Sequence, residues 1–122
     1  MLRSIALPLA CAFVLIAHAQ QMICSATVET VAQHKGEKVV FCGTPAEVYV
    51  TKKANGPVFL RFGDNYPDAY FTVVIFSEVA CADREALATR LKGHALRVRG
   101  LVKPYKGRPE IILKRMADLE VE

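Results

Sequence analysis

The chain of 122 residues contains no tryptophan, so any aromatic surface must come from its six Phe and four Tyr. Neither G-x-G-x-x-G nor G-x-x-x-x-G-K-S/T occurs. Those loops cradle phosphates with backbone N–H groups, so the dinucleotide-binding and P-loop classes drop out. No C-x-x-C or H-x-x-x-H spacing is present, which argues against a zinc site built from the cysteines with His34 or His94. Ser25 and Ser77 are the only serines past residue 19, and neither stands in a G-x-S-x-G elbow. No cofactor is therefore expected. The apolar run Ile5–Ala17 falls short of the ~20 residues a membrane-spanning helix needs, and Pro8 interrupts it.

What that run does fit is an export signal. Arg3 is the only charge in residues 1–19, and Ala17-His18-Ala19 is a small-x-small cleavage site. Residues 1–19 read as a signal peptide, residues 20–35 as an N-terminal segment with a short helix, and 36–122 as one folded domain. Two weaker alternatives are a retained anchor and a lipoprotein through Cys11, where Pro8 takes the place a lipobox gives to Leu. A periplasmic or secreted location follows, with no membrane span after cleavage.

The net charge of +4 hides a segregation. Residues 20–91 hold seven basic and eight acidic side chains. Lys92–Arg115 holds eight basic residues against Glu110 alone, and the tail adds Asp118, Glu120 and Glu122. A basic block suits a polyanion; the competing reading is the solvated face of a strand pair.

Strand-like runs dominate the domain: Lys38–Cys42, Glu47–Thr51 after a break at Thr44-Pro45, Val58–Phe62, Tyr70–Phe76, Ala95–Lys103 and Glu110–Leu113, which Leu119–Val121 extends. Ser25 is a candidate cap for a helix carrying Val28, Val31 and Ala32 and ending at Gly36. Asp83 predicts a cap for a helix over Arg84–Leu91, with Leu87 and Leu91 on one face and Gly93 past its end. Taking Lys38–Thr51 as one long bent strand, the order is five strands with a helix between the third and fourth. That is the element order of the OB-fold, a partly open five-stranded Greek-key barrel, with a short helix before it.

The stretches VVFCG, GPVFLRFGDNYPDAYFTVVIF and LKGHALRVRGLVKPYKGRPEIIL resemble the small exported bacterial OB-fold proteins, described as nucleic-acid-binding domains of the tRNA-anticodon-binding type. The resemblance spans roughly Gly36 to Val121. It is most specific from Phe62-Gly63 to Ile75 and from Tyr105 to Ile111. Pro45 departs from it where an apolar strand residue is expected, and Phe76 stands where Trp is common.

In the OB-fold the ligand face belongs to strands two and three and to the loops joining strands one to two and four to five. Alternation puts Val58, Leu60 and Phe62 inward and Phe59 and Arg61 outward; Thr72 turns Tyr70, Val74 and Phe76 outward as well. The candidate ligand residues are therefore Phe59, Arg61 and Thr72, with Lys52 and Lys53 at the first loop and Tyr105, Lys106 and Arg108 at the second. Aromatic faces stack on bases while Lys and Arg meet phosphates, which holds a single strand without reading its sequence. The competing reading is core or rim packing for each aromatic. Arg97, Arg99 and Lys103 form a further stripe along the fourth strand.

Cys24, Cys42 and Cys81 are left after cleavage, enough for one disulfide and one thiol in an oxidising compartment. Three pairings are open. Cys24–Cys42 is favoured because it ties the N-terminal helix to strand one, a closure worth ~3 kcal/mol. Asp64, Asn65 and Asp68 crowd one loop, which reads as turn chemistry before it reads as a calcium site.

The leading function is an exported, non-enzymatic module for single-stranded nucleic acid or another polyanion. The alternative is a periplasmic module for a protein or glycan partner, or for envelope stress. A metal-dependent nuclease using Asp64, Asp68 and Arg61 comes third.

Overall fold

Residues 22–80 and 83–122 are described by the computed structural model. The expected signal peptide, residues 1–19, and Cys81 lie outside the described residues. Among the described residues eight strands form two sheets, and the structure is mainly β. The first sheet has the order β1 (Lys38–Gly43), β5 (Leu96–Leu101), β8 (Leu119–Val121). The second has the order β2 (Glu47–Val50), β3 (Val58–Phe62), β4 (Phe71–Ile75), β7 (Arg108–Ile112), β6 (Lys103–Tyr105). All pairs are antiparallel except β4 with β7.

The two sheets arise because three runs change sheets part-way. Lys38–Val50 breaks at Thr44-Pro45, where proline lacks the ladder donor, and the Ala46 N–H resumes pairing on the Arg61 carbonyl at 2.7 Å. The expected fourth strand changes sheets just past Val102, whose N–H and carbonyl still pair with Glu37 and Gly36 ahead of β1 at 3.0 and 2.7 Å, while Lys103 pairs with Glu110 of β7. The last run divides between β7 and β8. A continuous barrel ladder is thus replaced by two sheets that share these strands' flanking segments.

Alternation drives one face of each sheet into a common core. Val58, Leu60 and Phe62 are fully buried, as are Phe71, Val73 and Ile75 opposite them. Phe41 joins Phe62 and Phe71 with ring centroids 4.7 and 4.3 Å away, a geometry that adds to the apolar area removed from water. Helix α1 (Ser77–Ala80) precedes α2 (Arg84–Leu91). The Asp83 carboxylate accepts from the Ala86 N–H at 3.0 Å, capping α2, and Leu87 and Leu91 enter the core.

The N-terminal segment corrects an expectation. Its helix is a single 3-10 turn, Val31–His34, and Ser25 does not cap it. Ala26 instead forms a parallel bridge with Phe41, while the Ser25 hydroxyl accepts from the Val40 N–H at 2.9 Å. Pairing with β1 holds this stretch extended, so the turn starts five residues later. The Cys24–Cys42 disulfide fixes the same stretch covalently.

Candidate nucleic-acid interface

The face of the five-stranded sheet turned away from the core carries two rows of side chains. Register aligns Glu47, Arg61, Thr72, Glu110 and Lys103 across all five strands. The next row aligns Tyr49, Phe59, Val74 and Ile112. Phe59, Arg61 and Thr72 take the outward side that alternation predicts. Val74 also points outward but is buried, because Phe59 and Ile112 flank it on the neighbouring strands.

Arg61 is not a loose cation. Its guanidinium lies 5.2, 5.1 and 4.8 Å from the ring centres of Tyr49, Phe59 and Tyr66, and Nη1 donates to Glu47 Oε1 at 3.2 Å. Only 11% of its side chain is exposed. Glu47 Oε1 also accepts the Tyr66 N–H at 3.0 Å. That bond, with Arg61 beside it, holds the Glu47 carboxyl below the usual carboxylate range. Arg61, a candidate ligand residue, is thus the centre of a cage of three aromatic rings.

Two clefts open on this face. One, about 260 Å³, brings together Arg61, Thr72, Tyr105, Lys106 and Arg108 with Tyr66 at its rim. The other, about 390 Å³, has an apolar floor of Phe59, Val74 and Ile112 and walls that include Phe76 and Tyr105. Tyr105 and Glu110 line both. Six of the eight candidate residues thus meet along one surface. Lys52 and Lys53 line neither cleft and stand exposed on the β2–β3 loop.

Local chemistry holds the two loops. The β6–β7 hairpin turns on Lys106 and Gly107 with φ of 50° and 82°, the mirror-image turn that matches strand twist. The strand therefore runs through Pro104 and Tyr105, which the sequence reading assigns to the connection. Arg108 donates to the Ala69 carbonyl, tying the hairpin to the loop after β3. The β2–β3 loop is pinned by Arg84 of α2, whose Nη1 donates to the Thr51 and Gly56 carbonyls at 3.1 and 2.8 Å. A Cβ at Gly56 would lie 2.0 Å from Thr51 Oγ1, so this closure requires glycine. Asp64 Oδ1 accepts the Asn65 N–H at 2.8 Å, which is turn chemistry.

Sequence reasoning missed Tyr49, Tyr66 and Glu110 here. Tyr49 and Glu110 were legible in principle through strand parity; Tyr66 was not, because a loop delivers it. Arg97 and Arg99 lie on the other sheet. Arg97 sits 3.3 Å from both Glu120 and Glu122, and Arg99 sits 3.6 Å from Asp118.

No family model matches the chain, and no curated protein matches it. Solved structures do. An OBody bound to hen egg-white lysozyme superposes with a TM-score of 0.59 at 15% identity, over 85% of this chain and 98% of that one. Asparaginyl-tRNA synthetase from Pyrococcus horikoshii gives 0.56 at 20% identity, over 83% of this chain but only 23% of the synthetase. The Stn1–Ten1 complex of S. pombe gives 0.50 at 15% identity, over 70% and 57%. The likeness carries the fold alone. No helix among the described residues is long and apolar enough to cross a membrane.

Proposed function

We propose that the eight strands are the five of an OB-fold, with β1–β2, β5–β6 and β7–β8 each one bent strand. On this reading the protein is an exported, non-enzymatic module that binds single-stranded nucleic acid, or another polyanion, on the outer face of the five-stranded sheet. The observation that carries it is the joining of exposed Tyr105 and Tyr66 with Lys106 and Arg108 around one cleft. Stacking planes and cations together are what a flexible polyanionic strand needs. A tRNA synthetase among the structures that share the fold is in keeping with it. Export rests on the residue 1–19 leader and agrees with the Cys24–Cys42 disulfide.

Fluorescence anisotropy of a labelled oligothymidylate at low salt tests the reading. Micromolar binding is expected, weakened about tenfold by Tyr105→Ala, since one base stack is worth ~1–3 kcal/mol. Absence of binding, or an unchanged Tyr105→Ala variant, overturns it. A second reading, a protein or glycan partner on the same face, is favoured by the apolar floor of the larger cleft and by the lysozyme-bound OBody. Capture of a partner from periplasmic extract that survives nuclease treatment, without oligonucleotide binding, selects this second reading. Cleavage of DNA in magnesium or calcium would select a nuclease instead.

A further inference from the structure

A surface that attracts phosphate gains nothing from a half-buried carboxylate in its middle, yet Glu110 occupies that place. It stands between Thr72 on β4 and Lys103 on β6 and lines both clefts. Its partners differ from those of Glu47 in the same row. Glu47 is held by an N–H and a guanidinium, whereas among the described residues Glu110 makes no hydrogen bond or salt bridge and feels the charge of its cross-strand neighbour Lys103. Burial pushes the Glu110 carboxyl above its ordinary value, and Lys103 offsets part of that. Its acceptor oxygens are therefore uncommitted, beside a lysine, at the edge of a cleft with Phe59, Phe76 and Tyr105 around it.

We propose, resting on the nucleic-acid reading above, that this larger cleft takes a guanine base of a single strand, with Glu110 and Lys103 reading its Watson–Crick edge. Guanine places two donors, N1–H and the 2-amino group, beside one acceptor, O6. A carboxylate receives both N–H groups in a bidentate pair, and an ammonium donates to O6. No other base gives both carboxylate oxygens an N–H while offering the ammonium an acceptor. Adenine and cytosine set a single amino donor beside a ring-nitrogen acceptor, which a carboxylate repels. Thymine and uracil set one N–H between two carbonyls. At about 390 Å³ the cleft is within the ~300–1,000 Å³ range of small-molecule sites. Lys106, near the Tyr105 ring, and Arg108 continue the surface toward the flanking phosphates.

The experiment compares oligothymidylate with the same oligonucleotide carrying one central guanosine, by competition anisotropy. Wild type should bind the guanosine strand about tenfold more tightly, the discrimination a bidentate pair ordinarily provides. Glu110→Gln, which offers one acceptor and one donor, should bind the two strands equally. A circular-dichroism spectrum matching that of wild type and a melting transition at least as high show that the variant is folded. Equal wild-type affinity for both strands overturns the guanine reading and leaves the sheet-face reading standing. No binding of either strand overturns both. A preference that survives in Glu110→Gln overturns the role given to Glu110. Guanosine monophosphate competing as strongly as the oligonucleotide would assign the cleft to a free nucleotide and overturn the strand.

Discussion

Arg97 and Arg99 on β5 and Lys103, Lys106 and Arg108 on β6–β7 belong to one basic run, yet the fold treats its two halves differently. The first half lies in the three-stranded sheet, where β8 pairs with β5 and brings Glu120 opposite Arg97. Asp118, Glu120 and Glu122 neutralise those arginines at 3.3 to 3.6 Å. The second half crosses into the five-stranded sheet beyond the tail's reach, and its cations surround clefts rimmed by exposed tyrosines. Adjacent charges in sequence thus become an internally balanced patch and an unbalanced one. A charge count along a chain measures neither potential until the partners are placed.

The largest expected effect breaks the comparison at Arg61, a cation as firmly paired as any on β5 but packed among rings. Arg61→Met should cost about 2 kcal/mol of stability, because it leaves Glu47 without its guanidinium and empties the aromatic cage. Arg97→Met should cost at most about 1 kcal/mol, the range of partly exposed ion pairs. Urea unfolding of both variants checks the difference, and equal losses would erase it.

Next in size is the effect of each half on oligonucleotide binding. Removing Lys106 and Arg108 together should lower the slope of log affinity against log salt by about 1.4, near 0.7 per phosphate contact on a single strand. Removing Arg97 and Arg99 should leave that slope unchanged. The comparison sharpens if the tail is then neutralised: Asp118→Asn, Glu120→Gln and Glu122→Gln in one protein should unmask β5 and raise low-salt affinity severalfold.

The smallest effect is a pair of opposite pH dependences within the outer row. The folded pKa of Glu47 is lowered by the Tyr66 N–H, so its stabilisation is complete above the ordinary carboxylate range and is lost as pH falls through the folded value. Burial raises that of Glu110, so its contribution is complete below the ordinary range and is lost as pH rises through the folded value. In thermal melts over acidic pH, Glu47→Gln should flatten the loss of stability on acidification. Glu110→Gln should leave the acid end unchanged and raise the melting temperature slightly near neutrality.

Much of this surface was legible because strand parity is a local property. VFLRF alternates so strictly that Phe59 and Arg61 could only share the side opposite Leu60. The cap at Asp83 was likewise readable from nearby residues, whereas the choice of Cys42 over Cys81 as the partner of Cys24 was favoured but left open. The cage around Arg61 was not, because its rings come from β2, β3 and the loop after β3, and no spacing relates them. Nor was the change of sheet after Val102, where pairing with the segment ahead of β1 ends and Lys103 pairs with Glu110 instead.

The sequence by itself determined the β character, the inward and outward faces of β3, the α2 cap and a basic segment followed by acids. Each depends on residues a few positions apart, where backbone geometry dictates who shares a side. Tertiary structure alone decided which cations stay available. Whether an arginine meets a carboxylate, a ring or solvent depends on strands paired across tens of residues, and that pairing closes only when the core does.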